Sequence, residues 1–165
     1  MTQQQENSGK PETKVMVWDI PVRLFHWILV SCFVIAWFTL DNRYLEIHIF
    51  VGYLMLGLIL FRILWGFIGG HYARFHNFAF GYSKVRDFLK DTLNKHPPRF
   101  LGHNPAGSWA IYLLLGLGLL IAITGLLAFG GEERQGPLAG ILNYPQGRFA
   151  HESHEWLSWL MLGVV

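Results

Sequence analysis

Long apolar stretches alternate with polar segments along the chain, and each has about the length of a membrane-spanning helix. The stretches cover residues 24–40, 47–68 and 108–129, and a fourth begins near residue 151 and is still apolar at residue 165. At about 1.5 Å of rise per residue, roughly 20 apolar residues cross a hydrocarbon layer. The pattern predicts an all-α fold, an integral membrane four-helix bundle. Because only ten residues follow from Trp156, we expect the fourth helix to be truncated.

The polar segments between these stretches predict the domain organisation. Residues 1–14 are polar and are expected to form a flexible tail, followed by one membrane domain over residues 15–165. No small-x-small cleavage site follows the first apolar stretch, which favours an uncleaved anchor over a signal peptide. Residues 70–107 form a long loop, in which apolar residues recur at helical spacing among Lys and Asp. This spacing predicts an amphipathic helix on the membrane surface; the alternative is a small soluble helix packed on the loop.

Composition supports a membrane protein and excludes several kinds of redox site. Charged residues make up 15% of the chain and hydrophobic residues 52%, whereas soluble domains carry about 25% charge. Membrane lipid is therefore the expected environment, and no nucleic-acid partner is expected. Cys32 is the single cysteine, which excludes an internal disulfide, a cysteine-ligated iron–sulfur cluster and covalent haem attachment through C-x-x-C-H.

The distribution of Lys and Arg predicts the orientation of the helices. Nine of these residues lie in the amino-terminal segment through Arg23 and in loop 70–107, against three in the other two loops. The positive-inside rule places the side with more Lys and Arg in the cytoplasm. The sequence therefore predicts a multi-pass protein with a cytoplasmic amino terminus.

Histidines inside apolar segments are the candidate functional residues. An ionisable side chain in such a segment is costly and indicates a functional site. His26 is predicted near the cytoplasmic face of the first helix, whereas His48, His151 and His154 share a depth near the opposite face. Two imidazoles on facing helices suit axial ligation of a haem iron. Gly52, one turn from His48, would let a flat macrocycle approach; the alternative for His48 is a hydrogen-bonded interface histidine.

His154 is preferred over His151 as the partner of His48, with His151 kept as the alternative. The segment from His151 to Glu155 resembles the zinc-protease motif H-E-x-x-H, but its second histidine comes one residue too early. His154 lies deeper in the helix, directly before the apolar stretch. His151 would then be an interfacial histidine, or a contact for a proton or a haem propionate.

Two arginines are predicted at the level of His26. Arg23 and Arg62 could bind haem propionates, or could extend towards lipid phosphates at the membrane surface. His103 lies in a turn that returns to the membrane near the level of His26. The remaining histidines are expected to be solvated loop residues: His71, His76 and His96.

Several short motifs together resemble bacterial cytochrome b561-type proteins, which are related to the cytochrome b subunits of nickel–iron hydrogenases. The resemblance covers nearly everything after residue 15. It is carried by Trp18-Asp19-Ile20-Pro21-Val22-Arg23-Leu24-Phe25-His26-Trp27, His48 with Gly52, Tyr72-Ala73-Arg74-Phe75, Gly102-His103-Asn104-Pro105 and His154-Glu155-Trp156.

The resemblance implies a bacterial inner-membrane protein with two b haems, one near each face. By that pattern His48 and His154 hold the outer haem, and His26 holds the inner haem with a histidine beyond Val165. It implies electron transfer between membrane quinone and a redox partner such as a hydrogenase, a dehydrogenase or cytochrome c. Whether the chain is an electron-transfer subunit or an enzyme stays open. The alternatives are a self-contained quinone-linked oxidoreductase, such as a superoxide oxidase, and a haem-free membrane anchor.

Overall fold

Helices are the regular secondary structure of the residues that the structure, a computed structural model, describes: 19–94, 98, 100 and 103–165. No strand occurs in these residues. The predicted tail, residues 1–14, lies outside them. Five α-helices follow one another within the described residues: α1 (Ile20–Phe38), α2 (Leu45–Ile68), α3 (Tyr82–Leu93), α4 (Pro105–Glu132) and α5 (Tyr144–Val164), with short 3-10 helices at Asn42–Tyr44 and Phe75–Asn77.

Polar caps followed by proline begin three of the helices. The side chains of Asp19, Asn104 and Asn143 each accept a hydrogen bond from a backbone N–H in the first helical turn. A proline stands in the first turn after each cap, where its missing N–H has no cost. These caps explain why α1, α4 and α5 begin earlier in the chain than the apolar stretches alone predicted. Ser108, where the third apolar stretch begins, lies inside α4, and Asn104 caps the helix.

The four long helices form the predicted membrane bundle. Helix α1 packs on α2, α2 on α4, and α4 on α5, while α3 lies against α4. Trp37 of α1 meets Trp159 of α5 with ring centres 4.8 Å apart. Helices α4 and α5 approach most closely at Gly131 and Gly147, where a Cβ atom on Gly131 would lie 2.5 Å from the Gly147 Cα atom.

Among the helices of the described residues, three are long and apolar enough to cross a membrane: α1, α4, and α2 together with the 3-10 turn before it. Most of their apolar side chains point outwards, as expected where lipid rather than a protein core surrounds the helices. Helix α5 has 21 residues, but its first half carries charged side chains. We call the end of the bundle where α1 begins the Asp19 end, and the opposite end the His48 end.

A hydrogen bond joins the first two helices at the Asp19 end. Asp19 Oδ1 accepts from the Val22 N–H at 3.0 Å, and Asp19 Oδ2 accepts from the Trp65 indole N–H at 2.8 Å. One carboxylate therefore caps α1 and binds the last turn of α2. The bond to Trp65, 46 positions away in the chain, depends on the packing of the two helices.

Replacing Trp65 by phenylalanine should destabilise the bundle by about 1–2 kcal/mol, because a carboxylate acceptor loses its indole donor. Thermal or denaturant unfolding of the purified protein in detergent measures the change. Trp27→Phe is the matched control, since Trp27 lies in α1 with an exposed indole. Equal stabilities of the two variants would contradict a stabilising role for the Asp19–Trp65 bond.

Candidate functional site

His48 is oriented by the carbonyl end of the neighbouring helix α1. It lies in the first turn of α2 and is partly buried, and its Nδ1 atom is 3.0 Å from the carbonyl oxygen of Ala36. The Thr39 hydroxyl is 3.5 Å from the same nitrogen. A carbonyl oxygen only accepts hydrogen bonds, so Nδ1 carries a hydrogen. Nε2 is therefore the ring nitrogen of His48 that is left to bind a metal.

His154 is held in the same way by a different helix. Its Nδ1 atom lies 2.8 Å from the carbonyl oxygen of Ile121 in α4. Gly125, one turn further along α4, makes room for the ring, because a Cβ atom there would lie 3.0 Å from both Cε1 and Nδ1 of His154. A backbone carbonyl that accepts from the second ring nitrogen is the usual support of a metal-binding histidine, since it fixes the tautomer and the ring orientation.

The two imidazoles face each other across a gap between their helices. The ring centres of His48 and His154 are 6.1 Å apart, and the ring planes make an angle of 76°. Within the described part of the chain, no Cα atom of α2 lies within 8 Å of a Cα atom of α5. Only side chains therefore connect the two helices here, which leaves space for a flat group between the backbones.

The spacing of the rings fits two ligands on opposite sides of one metal. A metal–imidazole bond is about 2 Å long, and the binding nitrogen lies about 1 Å from its ring centre, so two such rings have centres about 6 Å apart. Rotation about the common axis is unrestricted, which makes the 76° angle compatible with this arrangement. A Cβ atom built on Gly52 would meet nothing within 4 Å, so the surface next to His48 is open, as a macrocycle requires. The donor set present here fits a haem.

His151 points to a different partner from His154. Its Nδ1 atom lies 2.6 Å from a carboxylate oxygen of Glu132, at the end of α4. No ring contact joins His151 to His48 in the described residues, whereas the His154 ring faces His48. The two histidines that the sequence left as alternatives thus have separate surroundings. Glu132 was not among the residues singled out from the sequence.

The candidate residues at the Asp19 end are more dispersed. His26 and Arg23 are exposed on α1, and the nearest aromatic neighbour of His26 is Trp27, with ring centres 5.6 Å apart. Arg62 is 3% exposed and donates to the carbonyl of Ala73 at 3.4 Å. Among the described residues, no hydrogen bond, ion pair or ring contact joins His26 to Arg23 or Arg62.

The surroundings of Arg62 are mainly aromatic. Its guanidinium lies 5.0 Å from the ring centre of Phe75, and the Tyr112 hydroxyl donates to the Phe75 carbonyl at 3.1 Å. His103, partly buried, stacks near Phe78 with ring centres 4.5 Å apart. Burial, and secondarily the positive charge of Arg62, lower the pKa of His103 below its ordinary value. A neutral His103 therefore accompanies a buried cation at this end.

Comparisons with known proteins agree with a cytochrome. Residues 17–165 match the family described as prokaryotic cytochrome b561. The chain is similar to the probable Ni/Fe-hydrogenase B-type cytochrome subunits of Azotobacter chroococcum mcd 1 and Azotobacter vinelandii, with 26% and 28% identity, over 94% of this chain and 79% of each relative. The corresponding protein of Rhizobium leguminosarum bv. viciae is 25% identical over 92% of this chain and 77% of its own length. No solved structure matches the chain significantly.

Gly125→Ala should displace the His154 ring, because the added methyl group would lie 3.0 Å from two ring atoms. Weakening the hydrogen bond that orients a metal ligand typically lowers the affinity for the metal about 10–100-fold. We therefore expect less haem per polypeptide after purification. Absorption spectra of the reduced protein measure the haem.

Gly116→Ala is the control for this substitution. It lies on the same helix, and a Cβ atom there would meet nothing within 4 Å. It should leave the haem content unchanged and, because alanine favours helix over glycine, stability should not fall. Indistinguishable haem contents of the two variants would contradict a close fit of His154 against Gly125.

Proposed function

The chain belongs to the prokaryotic cytochrome b561 family, and on this basis we propose that His48 and His154 are the axial ligands of a haem b between α2 and α5. The resemblance seen in the sequence is thereby confirmed. The protein is a membrane b-type cytochrome of electron transfer. The assignment of the two ligands, the number of haems and the reaction partners are our proposals.

The observation on which the ligand assignment depends is that the two imidazoles are oriented by the same kind of hydrogen bond. Each donates its Nδ1 hydrogen to a backbone carbonyl of another helix, at 3.0 Å for His48 and 2.8 Å for His154. Nε2 of each ring makes no hydrogen bond to another described residue and is the nitrogen left to bind iron. A metal-ion cluster is a weaker explanation, because the described residues contain no group of three or more His, Cys, Asp and Glu side chains.

A haem b in this position would supply a one-electron carrier without an open coordination site for a substrate. The protein residues then have three tasks. Ala36 and Ile121 fix the tautomer and direction of the imidazoles through their carbonyls. Gly52 and Gly125 keep side-chain atoms away from the two ligands. The surrounding apolar helices lower the local polarity, which influences a redox potential.

A second haem at the Asp19 end is also proposed, with weaker support. His26 is its expected ligand, and Arg23 and Arg62 are candidates to bind propionates there. The support consists of the buried positive charge of Arg62 and the position of all three residues at that end of α1 and α2. No described histidine ring contacts His26.

For the reaction partners, we propose a hydrogenase-type donor and membrane quinone as the acceptor. The named relatives are probable Ni/Fe-hydrogenase cytochrome subunits, which supports a hydrogenase over cytochrome c as the partner. Quinone is lipid-soluble and would reach a helix bundle whose apolar side chains point outwards. The excess of Lys and Arg near the Asp19 end supports a cytoplasmic position for that end, in a bacterial inner membrane.

Substituting the ligands tests the proposal. His48→Ala and His154→Ala should each lower the amount of haem bound at this site by at least about tenfold, because losing a ligand weakens haem binding more than losing the hydrogen bond that orients it. Both variants should still insert into the membrane. His151→Ala should keep the haem, because its ring binds Glu132. Haem per polypeptide and the reduced absorption spectrum are the measurements.

Two outcomes would contradict the assignment. Loss of haem in His151→Ala with retention in His154→Ala would exchange the roles of the two histidines. Absence of b-type absorption bands in the unmodified protein, purified after expression with sufficient haem, would favour a haem-free anchor.

A further inference from the structure

The pair formed by His151 and Glu132 is the polar feature of the His48 end that the proposed haem site does not use. The Nδ1–Oε2 distance is 2.6 Å, with 53% of the His151 side chain and 14% of the Glu132 side chain exposed. Because the carboxylate accepts the Nδ1 hydrogen, Nε2 remains to exchange a proton. A histidine oriented by a carboxylate is a common arrangement for proton transfer.

The position of Glu132 supports a function beyond packing. Glu132 is the last residue of α4, where unpaired carbonyl groups disfavour a negative charge. A mostly buried carboxylate in this position has a cost, which the hydrogen bond from His151 and the nearby charge of Arg148 offset. The pair also lies close to the proposed ligand, because His151 and His154 are three residues apart on α5 and neighbours on the helix surface.

We propose that the His151–Glu132 pair donates protons to the carbonyl oxygen of a quinone bound at the His48 end. This inference rests on the proposed function, in which quinone accepts the electrons. A quinone needs both electrons and protons to become a quinol. Because His151 lies within one helical turn of His154, a proposed haem ligand, electrons and protons would reach the quinone at the same place.

The proton and electron balance is as follows. Two electrons, delivered singly from the hydrogenase-type donor, and two protons convert a quinone into a quinol with two new O–H bonds. The His151 imidazolium gives its Nε2 proton to the quinone oxygen that faces it and becomes neutral, while the oxygen on the opposite side of the quinone ring takes the second proton from water. Glu132 stays ionised and stabilises the next imidazolium, which forms when the half-exposed ring takes a proton from water.

The other charged groups near His151 are accounted for by their own contacts or exposure. Arg148 pairs with Glu152 at 3.1 Å on the surface of α5, and its charge, which does not change in this pH range, also acts on Glu132. Glu133 and Glu155 are exposed. His48 and His154 donate to backbone carbonyls. The pH dependence expected below is therefore assigned to His151 with Glu132.

Binding of decylubiquinone to the purified, haem-containing protein tests the proposal. Quenching of tryptophan fluorescence gives the dissociation constant between about pH 5 and 8, where histidines change charge. Binding should weaken as the pH rises, because the charged hydrogen-bond donor is lost. His151→Gln and Glu132→Gln should each weaken binding about tenfold at the acidic end, the effect of one charge-assisted hydrogen bond, and should flatten the pH dependence.

Glu152→Gln is the matched control, because it removes an exposed carboxylate one position from His151 and should bind like the unmodified protein. Haem content shows whether each variant folds. If His151→Gln does not fold, quinone binding by Glu132→Gln tests the inference. Unmodified affinity and pH dependence in the folded variant, or no binding by the unmodified protein, would overturn this inference. Neither result affects the proposed haem ligation, which fails only if the protein lacks haem or keeps it without His48 and His154.

Discussion

Hydrogen bonds from two imidazoles to backbone carbonyls are the interactions on which the candidate site depends. Helices α2 and α5 carry His48 and His154, while α1 and α4 provide the carbonyl groups that orient them. All four long helices are therefore needed to build one pair of ligands. In a low-polarity environment an unpaired N–H is costly, so each ring has one favourable orientation. That orientation directs Nε2 away from the supporting helix.

The need for each imidazole to reach a backbone carbonyl also explains the role of the glycines. Carbonyl groups in a helix are normally shielded by side chains, and an imidazole reaches one in α4 only because Gly125 has no Cβ atom. The close approach of Gly131 to Gly147 brings the beginning of α5 against the end of α4. This packing also places His151 within reach of Glu132. A proposed electron-transfer site and a proposed proton-transfer pair thus result from one helix–helix contact.

The two ends of the bundle differ in how they use charge. At the His48 end, the proposed haem ligands and the proposed proton donor are histidines and a carboxylate, which are groups that can gain or lose protons. At the Asp19 end, Arg62 remains charged and is buried among aromatic rings, with Asp19 bound to Trp65 nearby. A fixed charge stabilises a nearby anionic group and holds the loop after α2, whereas titratable groups suit coupling to proton movement. The structure therefore supports different tasks at the two faces.

The pattern of apolar stretches was sufficient to predict the all-helical membrane bundle, because spanning a bilayer requires about 20 apolar residues in a helix, whatever their packing. Equal depth of His48 and His154 also followed from the sequence, since depth is counted along each helix. Which neighbour each histidine contacts was decided only by tertiary structure. His151 and His154 are three residues apart, and their directions depend on how α5 is rotated against α4. The carbonyl groups of Ala36 and Ile121 leave no mark in a sequence, because every residue has one, and only packing selects which are used.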